Sequence, residues 1–109
     1  MIAENCPSST DIRYRLVPDA YEWTVDEGIT LEKLLSVERL ISVSLENNGE
    51  FVSCKYEVEK QFLKLDGLPK KEGCRVVLSD GQWITTKTGR SICDEEDTSE
   101  CLFSMSCEE

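Results

Sequence analysis

Apolar and polar positions alternate along much of this chain. Ile12, Tyr14 and Leu16 alternate with Arg13 and Arg15, a period of two that predicts a first strand, ended by Pro18. Tyr21, Trp23 and Val25 alternate with Glu22 and Thr24 and predict a second, after which Asp26-Glu27-Gly28 turns the chain. The clearest element is a hairpin over residues 39–59. Ile41, Val43 and Leu45 alternate with Ser42 and Ser44. Asn47-Asn48-Gly49 supplies residues that accept the positive φ of a tight turn. Val52, Cys54, Tyr56 and Val58 then alternate with Ser53, Lys55 and Glu57. The hairpin's apolar face is expected to hold Ile41, Val43, Leu45, Val52, Cys54, Tyr56 and Val58.

Residues 30–40 break the period of two. Leu31, Leu34, Leu35 and Glu38 sit at helical spacing behind Thr30, a residue suited to cap a helix start. One short helix is favoured there over an irregular approach to the next strand. Further strands are predicted at 62–65, 74–78, 83–87, 91–93 and 102–105. Turn signals lie between them at Asp66-Gly67-Leu68-Pro69, Ser79-Asp80-Gly81 and Thr88-Gly89, followed by an acidic loop after residue 93. Short strands at near-regular spacing indicate a mainly β (α+β) fold: an antiparallel sheet, or a small barrel or sandwich, of about six to eight short strands with at most one short helix. No repeat, low-complexity block or linker interrupts the 109 residues. They read as one domain over 1–109, with an N-terminal arm at 5–10 and an acidic loop and tail at 94–109.

Six cysteines change the picture: Cys6, Cys54, Cys74, Cys93, Cys101 and Cys107. An even count in a short chain predicts a disulfide-stapled domain, with fifteen possible pairings. Metal or redox use of reduced thiols is the rival. It usually needs a Cys-x-x-Cys pair, whose two ligands on one turn pre-organise the site, and no such pair is present. Cys93 and Cys101, eight positions apart, read as a structural staple rather than a labile redox pair. Disulfides imply an oxidising compartment. Residues 1–5 have neither the basic start nor the apolar stretch of a signal peptide. The expectation is therefore a mature periplasmic or secreted chain from which a leader has been removed. Residues 40–45, among the longer uncharged runs at six positions, fall far short of the roughly 20 a membrane helix needs, so no membrane span is expected.

The net charge is −10, from 22 acidic and 12 basic residues. Such a field repels nucleic acid and anionic membrane surfaces. Seven of the acids (Asp94, Glu95, Glu96, Asp97, Glu100, Glu108 and Glu109) fall in 94–109 with no basic residue among them, which leaves only −3 on the first 93 residues. The run from Asp94 to Asp97 with Glu100 carries the hard oxygen ligands that calcium takes, but it lacks the alternating ligand order of an EF-hand loop. It is read as a solvated loop, with no metal and no cofactor expected.

The chain has no histidine. That removes Ser–His and Cys–His nucleophile activation and the common zinc-hydrolase ligand sets. No glycine-rich phosphate loop is present. Two carboxylates suffice for glycoside hydrolysis, yet with 22 acids the sequence nominates no particular pair. Catalysis is therefore not expected. The aromatic residues offer a binding face or a core. Period-two placement assigns Tyr14, Trp23 and Tyr56 to the core. Trp83, directly after the Asp80-Gly81-Gln82 turn, is placed equally for either. It stands with Asp94, Glu95, Glu96 and Asp97 as the candidate binding surface.

Several short motifs occur in order: Cys6-Pro7-Ser8 with Asp11-Ile12, Tyr21-Glu22-Trp23, Ser53-Cys54-Lys55-Tyr56, Leu63-x-Leu65, Trp83, Ser91-Ile92-Cys93 and Glu100-Cys101-Leu102-Phe103. Over residues 6–103 the chain resembles a domain family of unknown function in small exported proteins of gammaproteobacteria, including Legionella-type intracellular bacteria. The resemblance implies a periplasmic or secreted location and a compact β-rich fold, and it carries over no catalytic residue. It matches Cys6, Cys54, Cys93 and Cys101 and leaves Cys74 and Cys107 as additions. The pairing it implies is Cys6–Cys54 and Cys93–Cys101, with the two added cysteines bonded to each other. The Asp80-Gly81-Gln82-Trp83 turn before a cysteine is similar to one in complement-type sushi modules, whose cysteine spacing differs.

Together these features lead to an exported, non-catalytic binding module with a protein partner. An acidic inhibitor that mimics nucleic acid is the first alternative. The clustering of charge at the C-terminus argues against it, since a duplex spreads its charge evenly. A carboxylate-only enzyme such as a glycosidase is the second.

Overall fold

The computed structural model describes residues 4–14, 19–25, 27–94 and 100–107. It is mainly β, with eight described strands and two helices of one turn and a little more. Helix α1 (Ser9–Arg13) precedes β1 (Tyr21–Val25), and α2 (Leu31–Leu35) follows it. Then come β2 (Arg39–Glu46), β3 (Phe51–Val58), β4 (Gln61–Pro69), β5 (Cys74–Gly81), β6 (Ile84–Thr85), β7 (Ser91–Cys93) and β8 (Cys101–Cys107). Strands β1-β4-β3-β2-β7-β6 form one antiparallel sheet in that order, and β5 pairs with β8 in a second. Glu4 adds a single antiparallel bridge to β8 at Phe103. Neither described helix is long and apolar enough to cross a membrane.

The β2–β3 hairpin forms over the predicted span. Asn47 and Asn48 both take positive φ, at 51° and 57°, and Gly49 follows at 96°. Seven side chains were expected inside, and six of them are buried. Ile41 is the exception. A bulge between Leu40 and Ser42 shifts the register there, so Leu40 takes the inward position opposite Tyr56 and Ile41 is only half-buried.

The period-two expectation fails at residues 12–14, and the rest of that expected strand, with Pro18, lies outside the described residues. Residues 9–13 form a helix, because Ser8 and Asp11 close a capping box. The Ser8 hydroxyl accepts from the Asp11 N–H and the Asp11 carboxylate accepts from the Ser8 N–H, both at 3.1 Å. Tyr14, expected in the core, caps that helix at its C-terminal end and is 72% exposed. The described residues thus hold two short helices where at most one was expected. The second is the expected one, with the Thr30 hydroxyl accepting from the Lys33 N–H.

Two expected turns are strand instead. Strand β4 runs through Asp66-Gly67-Leu68-Pro69 because β1 pairs along it, from Tyr21 opposite Pro69 to Val25 opposite Leu65. Lys70 donates its N–H to the Ala20 carbonyl, so the hydrogen-bonded positions of this ladder are the even ones on β4. Pro69 falls between them, where its missing N–H costs no ladder bond. Strand β5 likewise continues through Ser79-Asp80-Gly81. An irregularity between Leu78 and Gly81 absorbs the turn residues, and Gly81 pairs with Cys101. The strand expected over 83–87 is only the two residues of β6, and β8 is longer than the 102–105 expected. The stretch 94–109 is therefore not all loop and tail, since β8 occupies 101–107.

The three disulfides are Cys6–Cys54, Cys74–Cys107 and Cys93–Cys101. The core lies on one face of the large sheet, beneath β8, Cys6 and α1. Its fully buried side chains include Tyr56, Phe103, Val43, Val52 and Val58. Phe103 meets the Tyr21 ring edge-on at 5.5 Å between centroids and so ties the small sheet to β1. Tyr56 donates its hydroxyl to the Pro7 carbonyl, which fastens the N-terminal arm beside the Cys6–Cys54 bond.

Candidate functional site

The helical leucines and the edge of the large sheet together make a pocket. Helix α2 is only five residues long and none of its side chains is fully buried. A helix this short is not stable by itself, so it holds only by its cap and its contacts. Leu31, Leu34 and Leu35 face Ile12 of α1, Trp23 and Val25 of β1, and Leu65 of β4. These seven apolar side chains line a cavity of about 270 Å³ that is open on one side. Ile12 and Leu65 form its floor and are buried, whereas Leu31 at the rim is 55% exposed. The Trp23 ring makes one wall. It lies flat enough on β4 that a Cβ on Gly67 would come within 2.7 Å of it. Such a pocket excludes water from an apolar group and offers no charged or titratable lining side chain. Its chemistry is therefore desolvation rather than proton transfer.

Two buried tyrosines lie near this end of the molecule. Burial lifts the Tyr21 hydroxyl to about 12, and the Glu4 carboxylate adds to the shift. Tyr56 is raised further, chiefly by burial and then by Asp11. Both are neutral at physiological pH. The Tyr21 hydroxyl finds no hydrogen-bond partner among the described residues.

The residues singled out in the sequence lie elsewhere. Trp83 is half-buried, and its indole N–H donates to the Leu102 carbonyl at 2.9 Å. That bond fastens the segment after β5 onto β8, so the ring serves as a strap between strands. Asp94 is exposed at the end of β7, while Glu95, Glu96 and Asp97 lie outside the described residues. Among the described residues no three His, Cys, Asp or Glu side chains gather as a metal site would require.

The outer face of the large sheet is polar and of mixed sign. A row of registered positions runs across it from Ile84 and Ile92 through Ser44, Ser53 and Asp66 to Thr24. Arg39 pairs with Glu57 at 3.4 Å and Arg90 with Glu46 at 2.7 Å. The Lys55 ammonium sits 4.3 Å from the centre of the exposed Phe62 ring.

Sequence reasoning missed the pocket: it assigned Trp23 to the core and read the other lining residues only as members of their helix or strands. The signal was present in α2: three leucines in five residues are more apolar surface than so short a helix can bury. No known protein family matches this chain, and neither a curated protein nor a solved structure matches it either.

Proposed function

We propose that this chain is an exported binding module that takes an apolar side chain of a protein partner into the pocket between α1, α2, β1 and β4. The observation that carries this reading is the pocket's lining of seven apolar side chains, with Leu31 more than half exposed at its mouth. Anchoring of one apolar side chain in a preformed desolvated pocket is how a small surface gains most of its binding energy. Three disulfides fit an oxidising compartment, periplasmic or secreted.

The test is selection of binders from a random peptide library displayed on phage, using the oxidised chain as bait. Selected peptides are expected to share one large apolar anchor. They are expected to lose at least about tenfold in affinity to the Leu31→Asp variant, the effect of a charge placed against a buried anchor. Leu31 is exposed, so that variant keeps the fold. Peptides that bind the variant as well as the parent chain, or that share no apolar residue, would remove the pocket from this role.

A further inference from the structure

We propose that Cys74–Cys107 is a thiol–disulfide exchange site, which a small thiol such as glutathione opens while the other two disulfides hold the fold. The three bonds differ sharply in access. Cys6, Cys54, Cys93 and Cys101 are each 0% exposed. Cys107 is exposed and Cys74 half-buried. A thiolate must reach a sulfur to attack it, so two of the bonds are closed to solvent in the native state and one is open.

Position in the fold points to the same bond. Cys74 and Cys107 are register partners at one end of the β5–β8 ladder. The rungs from Arg75–Ser106 to Leu78–Phe103 lie to one side of it, and Gly81 still pairs with Cys101 beyond. Phe103 and Val76 anchor those strands in the core at 0% and 2% exposure. Opening the bond therefore frees a strand end and removes none of the buried packing. Cys93–Cys101, the short loop considered earlier for redox use, is instead sealed within the core.

A pocket of about 250 Å³ lies against this bond, lined by Gly73, Cys74, Arg75 and Ser106. It gives a thiol compound room to approach the Cys74 sulfur. Arg75 is exposed there, and Lys70 and Lys71 precede Cys74 by four and three positions. Glu72, Glu108 and Glu109 flank the same two cysteines in sequence and offset these three cations, so access rather than charge distinguishes this bond.

The step balances as follows. The incoming thiolate bonds to the Cys74 sulfur, and the S–S electron pair leaves on the Cys107 sulfur, which takes a proton from water. A second thiolate attacks the small-molecule sulfur of the mixed disulfide. The Cys74 thiolate leaves and is protonated in turn, and the two small thiols depart joined as their own disulfide. The protein gains two electrons and two protons.

The experiment exposes the oxidised full chain to rising concentrations of reduced glutathione in native buffer. Free thiols are then trapped with an alkylating reagent and located by peptide mapping. Alkylation is expected on Cys74 and Cys107 alone, at least about 100-fold faster than on the other four, which become reachable only through rare opening of the core. Near-ultraviolet circular dichroism is expected to persist at that stage. Alkylation of Cys93 or Cys101 first, simultaneous release of all six, or loss of tertiary signal with the first bond each overturns the proposal. A variant carrying Cys74→Ser and Cys107→Ser is expected to fold with two disulfides. Its failure to fold overturns the proposal as well, because the opened state would then not be native.

Discussion

Trp23 and Gly67 face each other across β1 and β4, and the tryptophan ring occupies the space that a side chain at residue 67 would need. A Cβ there would meet three ring atoms at 2.7 to 2.9 Å. Gly67 thus serves through the absence of a side chain rather than through a special φ. Gly67→Ala is expected to cost about 1–3 kcal/mol by overpacking. It is also expected to move the Trp23 wall of the pocket. Urea unfolding measures the first effect and tryptophan fluorescence the second. An alanine variant as stable as the parent chain would show that the ring is free to swing away.

Two buried tyrosines separate the value of a hydroxyl from the value of a ring. Tyr56 gives its hydroxyl to the Pro7 carbonyl, while that of Tyr21 has no partner among the described residues. Tyr56→Phe leaves a buried carbonyl unsatisfied and is expected to cost about 1–3 kcal/mol. Tyr21→Phe removes an unsatisfied group and keeps the edge-on contact with Phe103, so its expected cost is near zero or a small gain. Equilibrium unfolding of the two variants side by side reads this contrast.

The same hydroxyls set an alkaline limit. Tyr21 is raised from 10.0 to about 12 in the folded chain and Tyr56 is raised further, so the native state holds protons that the unfolded chain releases. Stability from this source is complete below pH 10 and falls as pH rises toward and past 12. Tyr21→Phe is expected to flatten the part of that decline contributed by Tyr21. A pH series of urea midpoints between neutral pH and the alkaline limit follows it, and an unchanged slope in the variant would assign the decline to other groups.

Gly49 and Gly28 both take positive φ, at 96° and 88°, but only one is hemmed in. A Cβ at Gly49 would lie 2.2 Å from the Val76 carbonyl oxygen, and the Gly49 carbonyl accepts from the Val76 N–H at 2.7 Å. The tip of the β2–β3 hairpin is thus docked on β5. Nothing lies within 4 Å of a Cβ at Gly28. Gly28→Ala is expected to cost about 1 kcal/mol from conformation alone. Gly49→Ala is expected to cost clearly more, because backbone must also move. Thermal unfolding of the pair distinguishes them.

Period-two reading located β1 and the hairpin because each has one buried face, which the pattern of apolar positions reports directly. It failed at α1, where Ile12 and Tyr14 satisfied the strand pattern while Ser8 and Asp11 wrote a capping box three residues apart. The cap decided, since it satisfies two backbone N–H groups at once. It failed again at Gly67 and Gly81, where glycine and its polar neighbours suggested turns. In both places glycine answers a long-range demand: the Trp23 ring at one, the Glu100 carbonyl 2.1 Å from a Cβ position at the other. Such demands depend on strands distant in sequence. The pocket was hidden for a related reason. Trp23 reads as core from its own strand, and only the placement of α1 and α2 above it, with Val25 and Leu65, leaves a gap.

Thr30 links the cap of α2 to that gap. Its hydroxyl accepts from the Lys33 N–H at 3.1 Å, and the Thr30 carbonyl accepts from the Leu34 N–H at 3.0 Å. Thr30→Ala removes the first bond only, a loss of about 1 kcal/mol at a helix N-cap. In a long helix that loss would fray one end. In a five-residue helix it weakens the whole element, since nucleation is not recovered by further turns. The cost is therefore expected to appear locally. Amides of 33–37 should exchange with deuterium several-fold faster, while those of β3, held in the centre of the large sheet, should be unchanged. Uniform acceleration across the chain would mean that α2 unfolds only with the rest, and that the pocket wall is as rigid as the sheet beneath it.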